Sequence, residues 1–148
     1  TIIVLGLNRG SQAVIEMIAR KSPEHLNEIL VIDYNAEVLA DLKRIGVSGH
    51  IGDISRAEVL EQAGIAHASV IVATIPEMLI KGIDSVRLVK LCRLLSPHST
   101  IIASADFKNR VSSLQDAGAQ KVVLPYFLAG EACADLIITK MKRTSHQQ

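Results

Sequence analysis

Tryptophan is absent from this 148-residue chain, and Tyr34, Tyr126, Phe107 and Phe127 are its only aromatic residues. Hydrophobic residues nonetheless make up 49% of the chain, so its core must be built from Ile, Val, Leu and Ala. That is the composition of a parallel sheet covered by helices on both faces. Cysteine is scarce. Cys92 and Cys133 lie far apart, each in an apolar helical pattern, and read as buried free thiols rather than a disulfide or metal site. Neither charge sign is in excess: the net charge is +1, and no basic field argues for nucleic acid. No apolar run approaches the ~18 residues of a membrane span, and no stretch ahead of the first strand reads as a signal peptide. The chain lacks an initiating Met and opens inside a strand, so it is expected to be a piece of a longer protein. Its length suits one domain with a real core.

Catalytic signatures are missing too. Neither Tyr34 nor Tyr126 is followed four residues later by Lys, and there is no Gly-x-Ser-x-Gly elbow and no Gly-Lys-Ser/Thr phosphate loop. His25, His50, His67, His98 and His146 are scattered without metal-ligand spacing and read as surface or structural histidines. No catalytic residue and no metal ligand is assigned.

What is present begins at the first residue. An apolar run from Ile2 to Leu5 stops at Gly6, a tight polar loop follows, and an apolar-periodic helix begins near Ser11. A strand, a phosphate-sized turn and a helix start form the first half of a nucleotide-binding βαβ unit. The G-x-G-x-x-G frame is filled here by Gly6, Asn8 and Ser11, with an off-frame Gly10. Taken alone this loop does not rise above an ordinary strand–helix turn.

Further along, apolar strands are expected at 29–32, 47–51, 69–73, 100–103 and 121–124. Helices are expected to about Arg20, over 36–44 with Asn35 as cap, and after a capping box formed by Ser55 and Glu58. A long helix is expected to start at Thr74-Ile-Pro-Glu77 and to reach Leu95. Its polar residues, Lys81, Asp84, Arg87, Lys90 and Arg93, form one narrow stripe, so it is expected to be buried on more than one side. The last helices are expected over 109–117 and from about Ala129 to Met141, with Pro125 as a breaker and a polar tail over 143–148. Six strands alternating with helices imply an α/β, Rossmann-like, doubly wound six-stranded parallel sheet.

Within that frame each loop residue has two readings. Backbone N–H groups at Gly6, Leu7, Asn8, Arg9, Gly10 and Ser11 would meet a phosphate at the helix start. Asn8 stands where a glycine is usual and is expected to tolerate positive φ. Ser11 brings a hydroxyl, and Arg9 is as apt to reach a phosphate as to lie in solvent. Asp33 ends the second strand, where a dinucleotide fold places the carboxylate that accepts from the adenosine ribose. Asn35 is the better helix cap, which is expected to leave Asp33 available, and a carboxylate there disfavours NADP. Asp53, after the third strand, is equally an acceptor for the adenine amine or a turn aspartate. Ala73 and Thr74 lie at the mouth of the fourth strand, at the switch point of the sheet. Thr74 reads more as a helix cap than a ligand contact.

The order of these motifs resembles a known family. Val4-Leu-Gly-Leu-Asn-Arg-Gly10, Val31-Ile-Asp-Tyr-Asn35 and Gly52-Asp-Ile-Ser-Arg-Ala-Glu58 together look like the regulator-of-potassium-conductance domain, also called the RCK, KTN or TrkA-N domain. The likeness continues through Ala68-Ser-Val-Ile-Val-Ala-Thr-Ile-Pro76 and Gly118-Ala-Gln-Lys-Val-Val-Leu-Pro125, and is closest to the cytoplasmic domains of Kef-type cation/proton antiporters. The resemblance implies a regulatory domain over 1–142 that binds an adenine nucleotide, AMP, ADP/ATP or NAD(H), and forms homodimers, commonly through the last helix. By position it implies phosphate at the first loop, ribose near Asp33 and Tyr34, and adenine near Gly52, Asp53 and Ile54. The chain departs from the family pattern at the second and third glycines. It also has Ser104-Ala105-Asp106 where many relatives carry an arginine, which leaves both a dinucleotide and a mononucleotide such as AMP open.

Two functions follow. The first is the cytoplasmic nucleotide-sensing domain of a bacterial cation channel or antiporter, acting on a membrane transport domain in the same or a partner chain through dimer rearrangement. The second is the cofactor half of an NAD-dependent oxidoreductase. A dimerisation domain without a working pocket is a weaker third.

Overall fold

In the computed structural model, which describes residues 1–76 and 82–145, six parallel strands form one sheet. They are β1 Ile2–Leu5, β2 Ile29–Asp33, β3 Ser48–Ile51, β4 Val70–Ala73, β5 Thr100–Ser104 and β6 Lys121–Val123, in the order β3-β2-β1-β4-β5-β6. This is the Rossmann order, with the reversal of strand order between β1 and β4. The helices are α1 Arg9–Lys21, α2 Ala36–Lys43, α3 Ala57–Gln62, α4 Ser85–Leu95, α5 Val111–Ala117 and α6 Pro125–Ser145.

Strand periodicity decides which helix covers which face. Ile3 and Leu5 of β1 point one way and Val4 the other, all essentially without solvent contact. The Ile3 side continues through Ile32, Ile71, Ala73, Ile101 and Ala103 and packs against α3, α4 and α5. The Val4 side carries Val31 and Val72 and packs against Ile15 of α1 and Leu39 and Leu42 of α2. On this second face the core ends at Val72 of β4. Ile102 and Ser104 of β5 and Val123 of β6 are left half-buried.

Two glycines set close packing. A Cβ on Gly49 would stand 2.8 Å from the Leu39 Cβ, and one on Gly52 would overlap Val59 Cγ1. Glycine there lets α2 and α3 lie directly on the third strand and the loop that follows it.

Several expectations at the helix ends are corrected. The helix expected from Thr74 begins at Ser85, because Asp84 in extended conformation caps it by accepting Arg87 N–H at 2.8 Å. Gly82, with φ +79°, precedes that cap. Glu77 and Lys81 fall outside the described residues. The helix does pack on more than one side, against the sheet and against α3 and α5. Arg93 leaves the polar stripe and turns onto the loops at the start of β5 and β6. The Ser55–Glu58 capping box does not form: Arg56 occupies the N-cap of α3 without a side-chain bond. Pro125 begins α6 rather than breaking the chain, since proline is tolerated at the first helical position. The helix continues through Arg143 into the segment expected as tail.

The cysteines separate as well. Burial pushes the Cys92 thiol up to about 12, whereas Cys133 is exposed on α6. Indeed α6 is exposed at every position from Pro125 to Thr144. Among the described residues no helix is long and apolar enough to cross a membrane.

Candidate nucleotide-binding site

The carboxyl ends of β1, β2 and β4 bring the first loop, Asp33 and Thr74 to one place. The chain leaves β1 through Gly6, whose φ of +76° takes it into the left-handed region open to glycine. Gly6 N–H donates to the Ile32 carbonyl at 2.7 Å, so the β1–β2 ladder runs one step past the strand. A Cβ on Gly6 would approach Ile75 Cδ1 to 3.3 Å. Ile75, buried behind the loop, is a site-shaping residue that its sequence context did not single out.

Asn8 does not adopt positive φ. It is extended, with φ −137°, and serves as the N-cap of α1. Its Oδ1 accepts Gly10 N–H at 2.8 Å and Ser11 N–H at 3.2 Å. Its own N–H donates to Ser11 Oγ at 2.9 Å, which completes a reciprocal capping box. Ser11 is fully buried, and its hydroxyl also donates to the Gly6 carbonyl at 2.9 Å. Its side chain therefore ties the loop together and does not face a ligand. Arg9, the first residue of α1, is exposed. The off-frame Gly10 also has its reason: a Cβ there would lie 3.2 Å from the Thr74 carbonyl oxygen and 3.7 Å from Thr74 Oγ1.

Asp33 joins three loops. Its Oδ2 accepts Leu7 N–H at 2.8 Å, its Oδ1 accepts Asn35 N–H at 2.8 Å, and its carbonyl accepts Gly52 N–H at 3.0 Å. Asn35 is the cap of α2, accepting Glu37 N–H at 3.1 Å. Asp33 is thus not idle, as expected, but braces the first loop. A carboxylate has about four lone-pair sites, so two remain for ribose hydroxyls. Tyr34, the next residue, is 76% exposed.

Asp53 is exposed in the loop after β3. It is not spared by a Ser55 cap; its Oδ1 accepts both Ser55 N–H at 2.9 Å and Ser55 Oγ–H at 2.7 Å. Those two bonds, the backbone one first, hold its carboxyl below the usual range. Among the described residues Oδ2 makes neither of these contacts. Leu7 and Ile54 are half-buried, their side chains packed against the two cores. Ala73 is buried. Among the described residues Thr74 caps no helix.

Two buried side-chain atoms at the switch point, Asn8 Nδ2 and Thr74 Oγ1, have no hydrogen-bond partner among the described residues. Leaving such an atom unpaired costs about 1–3 kcal/mol, so a ligand that met them would recover it. The arrangement fits an adenosine on the Asp33–Asp53 side, while the Gly10, Ser11 and Gln12 N–H groups at the helix start are already engaged. Among the described residues no three His, Cys, Asp or Glu side chains are placed to hold a metal ion.

Known proteins match this chain in sequence and in fold. A probable potassium channel protein of Methanocaldococcus jannaschii is 36% identical over 88 residues, covering 60% of this chain and 24% of the relative. The glutathione-regulated potassium-efflux system protein KefC of Escherichia coli O139:H28 is 30% identical over 98 residues, covering 64% of this chain and 14% of the relative. The chain thus spans a quarter or less of these relatives' length. Among solved structures, the TrkA-N domain of the inner membrane protein ybaL from Escherichia coli superposes with TM-score 0.73 at 24% identity, over 91% of this chain and 94% of the other. The AMP-bound Kef C-terminal domain of Shewanella denitrificans gives 0.73 at 18%, over 95% and 80%. The GsuK channel bound to NAD gives 0.66 at 25%, over 82% and 21%, and another structure of GsuK is bound to ADP. The TrkA-N domain model itself matches residues 2–125, from the first strand to the start of α6. The chain belongs to the TrkA-N domain family.

Proposed function

We propose that this chain is a nucleotide-sensing regulatory domain of a potassium channel or cation/proton antiporter, held on the cytoplasmic side of the membrane by a transport domain in the same or a partner chain. The observation that carries the reading is the position of Asp33. It joins the loops after β1 and β3 through the contacts described above, beside the two unpaired atoms of the switch point. Relatives with bound AMP, ADP and NAD support an adenine nucleotide as the ligand. The sequence carries none of the Tyr-x-x-x-Lys, Gly-x-Ser-x-Gly or Gly-Lys-Ser/Thr signatures, which favours sensing over catalysis.

Thermal-shift titration with AMP, ADP, ATP, NAD and NADH tests the reading. A ligand at ~100 times its Kd stabilises by about 2.7 kcal/mol, a rise in Tm of roughly 5–10 °C for a domain of this size. No shift with any of the five sinks the proposal.

The sensing mechanism is a change in a homodimer. Leu128, Leu136, Ile137 and Met141 are exposed on α6, and the half-buried Ile102 lies at the β5–β6 end of the second sheet face, beyond the part that α1 and α2 cover. A second copy burying these side chains would remove a large apolar surface from water. Nucleotide that bound one dimer arrangement more tightly would shift the population toward it, and the transport domain would respond. Sedimentation velocity is expected to give a dimer for the chain and a monomer for Ile137→Asp. A monomeric parent chain would remove this mechanism and leave the nucleotide site standing.

A further inference from the structure

We propose that Asn8 is a specificity-determining residue that sets this site for a nucleoside monophosphate in preference to a dinucleotide; the proposal rests on the nucleotide reading above. In a glycine-lined loop the N–H groups at the helix start point into the crevice, and a bridging diphosphate accepts from them. Here the Asn8 carboxamide has taken that role. Its Oδ1 accepts Gly10 N–H and Ser11 N–H, and Gln12 N–H donates to the Asn8 carbonyl at 2.9 Å. A diphosphate would have to displace this side chain from donors it already holds.

The same side chain narrows the passage. The point where a Gly10 Cβ would stand is 3.1 Å from Asn8 Oδ1 and 3.2 Å from the Thr74 carbonyl oxygen. Gly10, at the start of α1, therefore lies close both to the Asn8 carboxamide and to the residue after β4, and only the lack of a side chain keeps that passage open. A dinucleotide must carry its diphosphate through that gap to place its second nucleoside beyond β4. A monophosphate ends at the gap. The groups left for it are those of a terminal phosphate site: the exposed Arg9, the first N–H of the helix with its dipole, and the unpaired Asn8 Nδ2 and Thr74 Oγ1. The assignment of Nδ2 follows from Oδ1 being the acceptor of two N–H groups.

Calorimetric titration of the 148-residue chain with AMP and with NAD tests this. The parent chain is expected to bind AMP at least about tenfold tighter than NAD. Asn8→Gly, which keeps most of the cap's stability, is expected to shift the ratio of the two affinities toward NAD by about tenfold or more. Asn8→Ser retains a shorter cap and is expected to fall between them; it decides the question if glycine loosens the fold. Equal affinity of the parent chain for the two nucleotides, or an unchanged ratio in the variants, overturns the proposal while leaving a nucleotide site. A parent chain that binds neither removes the nucleotide reading and this one with it.

Discussion

Replacing Arg93 by Met is expected to lower the free energy of unfolding by about 3 kcal/mol and Tm by roughly 6–12 °C. The guanidinium extends from the last turn of α4 into the space between two loops. One nitrogen donates to the carbonyls of Ser96, Pro97 and Ser99, at 3.2, 2.8 and 3.0 Å. The other donates to the Gly118 carbonyl and to Gln120 Oε1, both at 2.8 Å. Gln120 in turn accepts Ile101 N–H at 2.7 Å and donates to the Ser99 carbonyl at 3.2 Å, standing in for a neighbouring strand at the start of β5. Methionine preserves the aliphatic stem but leaves these carbonyls without their donor. Arg93→Lys is expected to recover only part of the loss, because an ammonium on a flexible stem cannot reproduce the planar fork. Chemical denaturation reads the effect. A Met variant within about 0.5 kcal/mol of the parent would show these bonds to be replaceable by water.

Asp33→Ala is expected to abolish most nucleotide stabilisation and to cost about 1–2 kcal/mol in the ligand-free chain. Both effects follow from one carboxylate. In the free chain, Leu7 N–H and Asn35 N–H lose their acceptors, so the first loop is no longer held against β2. In the complex, ribose hydroxyls lose a charged acceptor worth about 1.5–3 kcal/mol per bond, a fall in affinity of roughly tenfold to a hundredfold. Asp33→Asn separates the two. One carbonyl oxygen can still accept Leu7 N–H, so stability is expected to recover while affinity stays low. Measuring Tm without ligand and AMP affinity by calorimetry gives both quantities for each variant. Full AMP affinity in Asp33→Ala would remove the ribose assignment.

The strand pattern was legible because it is local. Alternate residues of β1 face opposite cores, and an aliphatic composition with six such runs admits few architectures other than a doubly wound sheet. Caps were legible where one side chain had no competitor, as Asn35 over α2. They were misread where two polar residues competed for one turn. Ser55 looked like a cap, yet its hydroxyl is nearer to Asp53 and donates there. Thr74 looked like a cap too, but the helix it was to start begins at Ser85, capped by Asp84.

The sequence by itself determined the class of fold, the order of the loops and the place of Asp33 at the end of β2, because each depends on patterns a few residues long. Tertiary structure decided the rest. Arg93 reaches partners 25 and 27 positions away, and Asp33 reaches Leu7 across 26. Such contacts leave no periodic trace, since nothing in the local spacing marks which distant carbonyl or N–H a side chain will meet. The first loop shows both limits. Its glycine and helix start were visible as a phosphate-sized turn, but only the folded chain turns the Asn8 carboxamide back onto Gly10 and Ser11 and brings Thr74 against them.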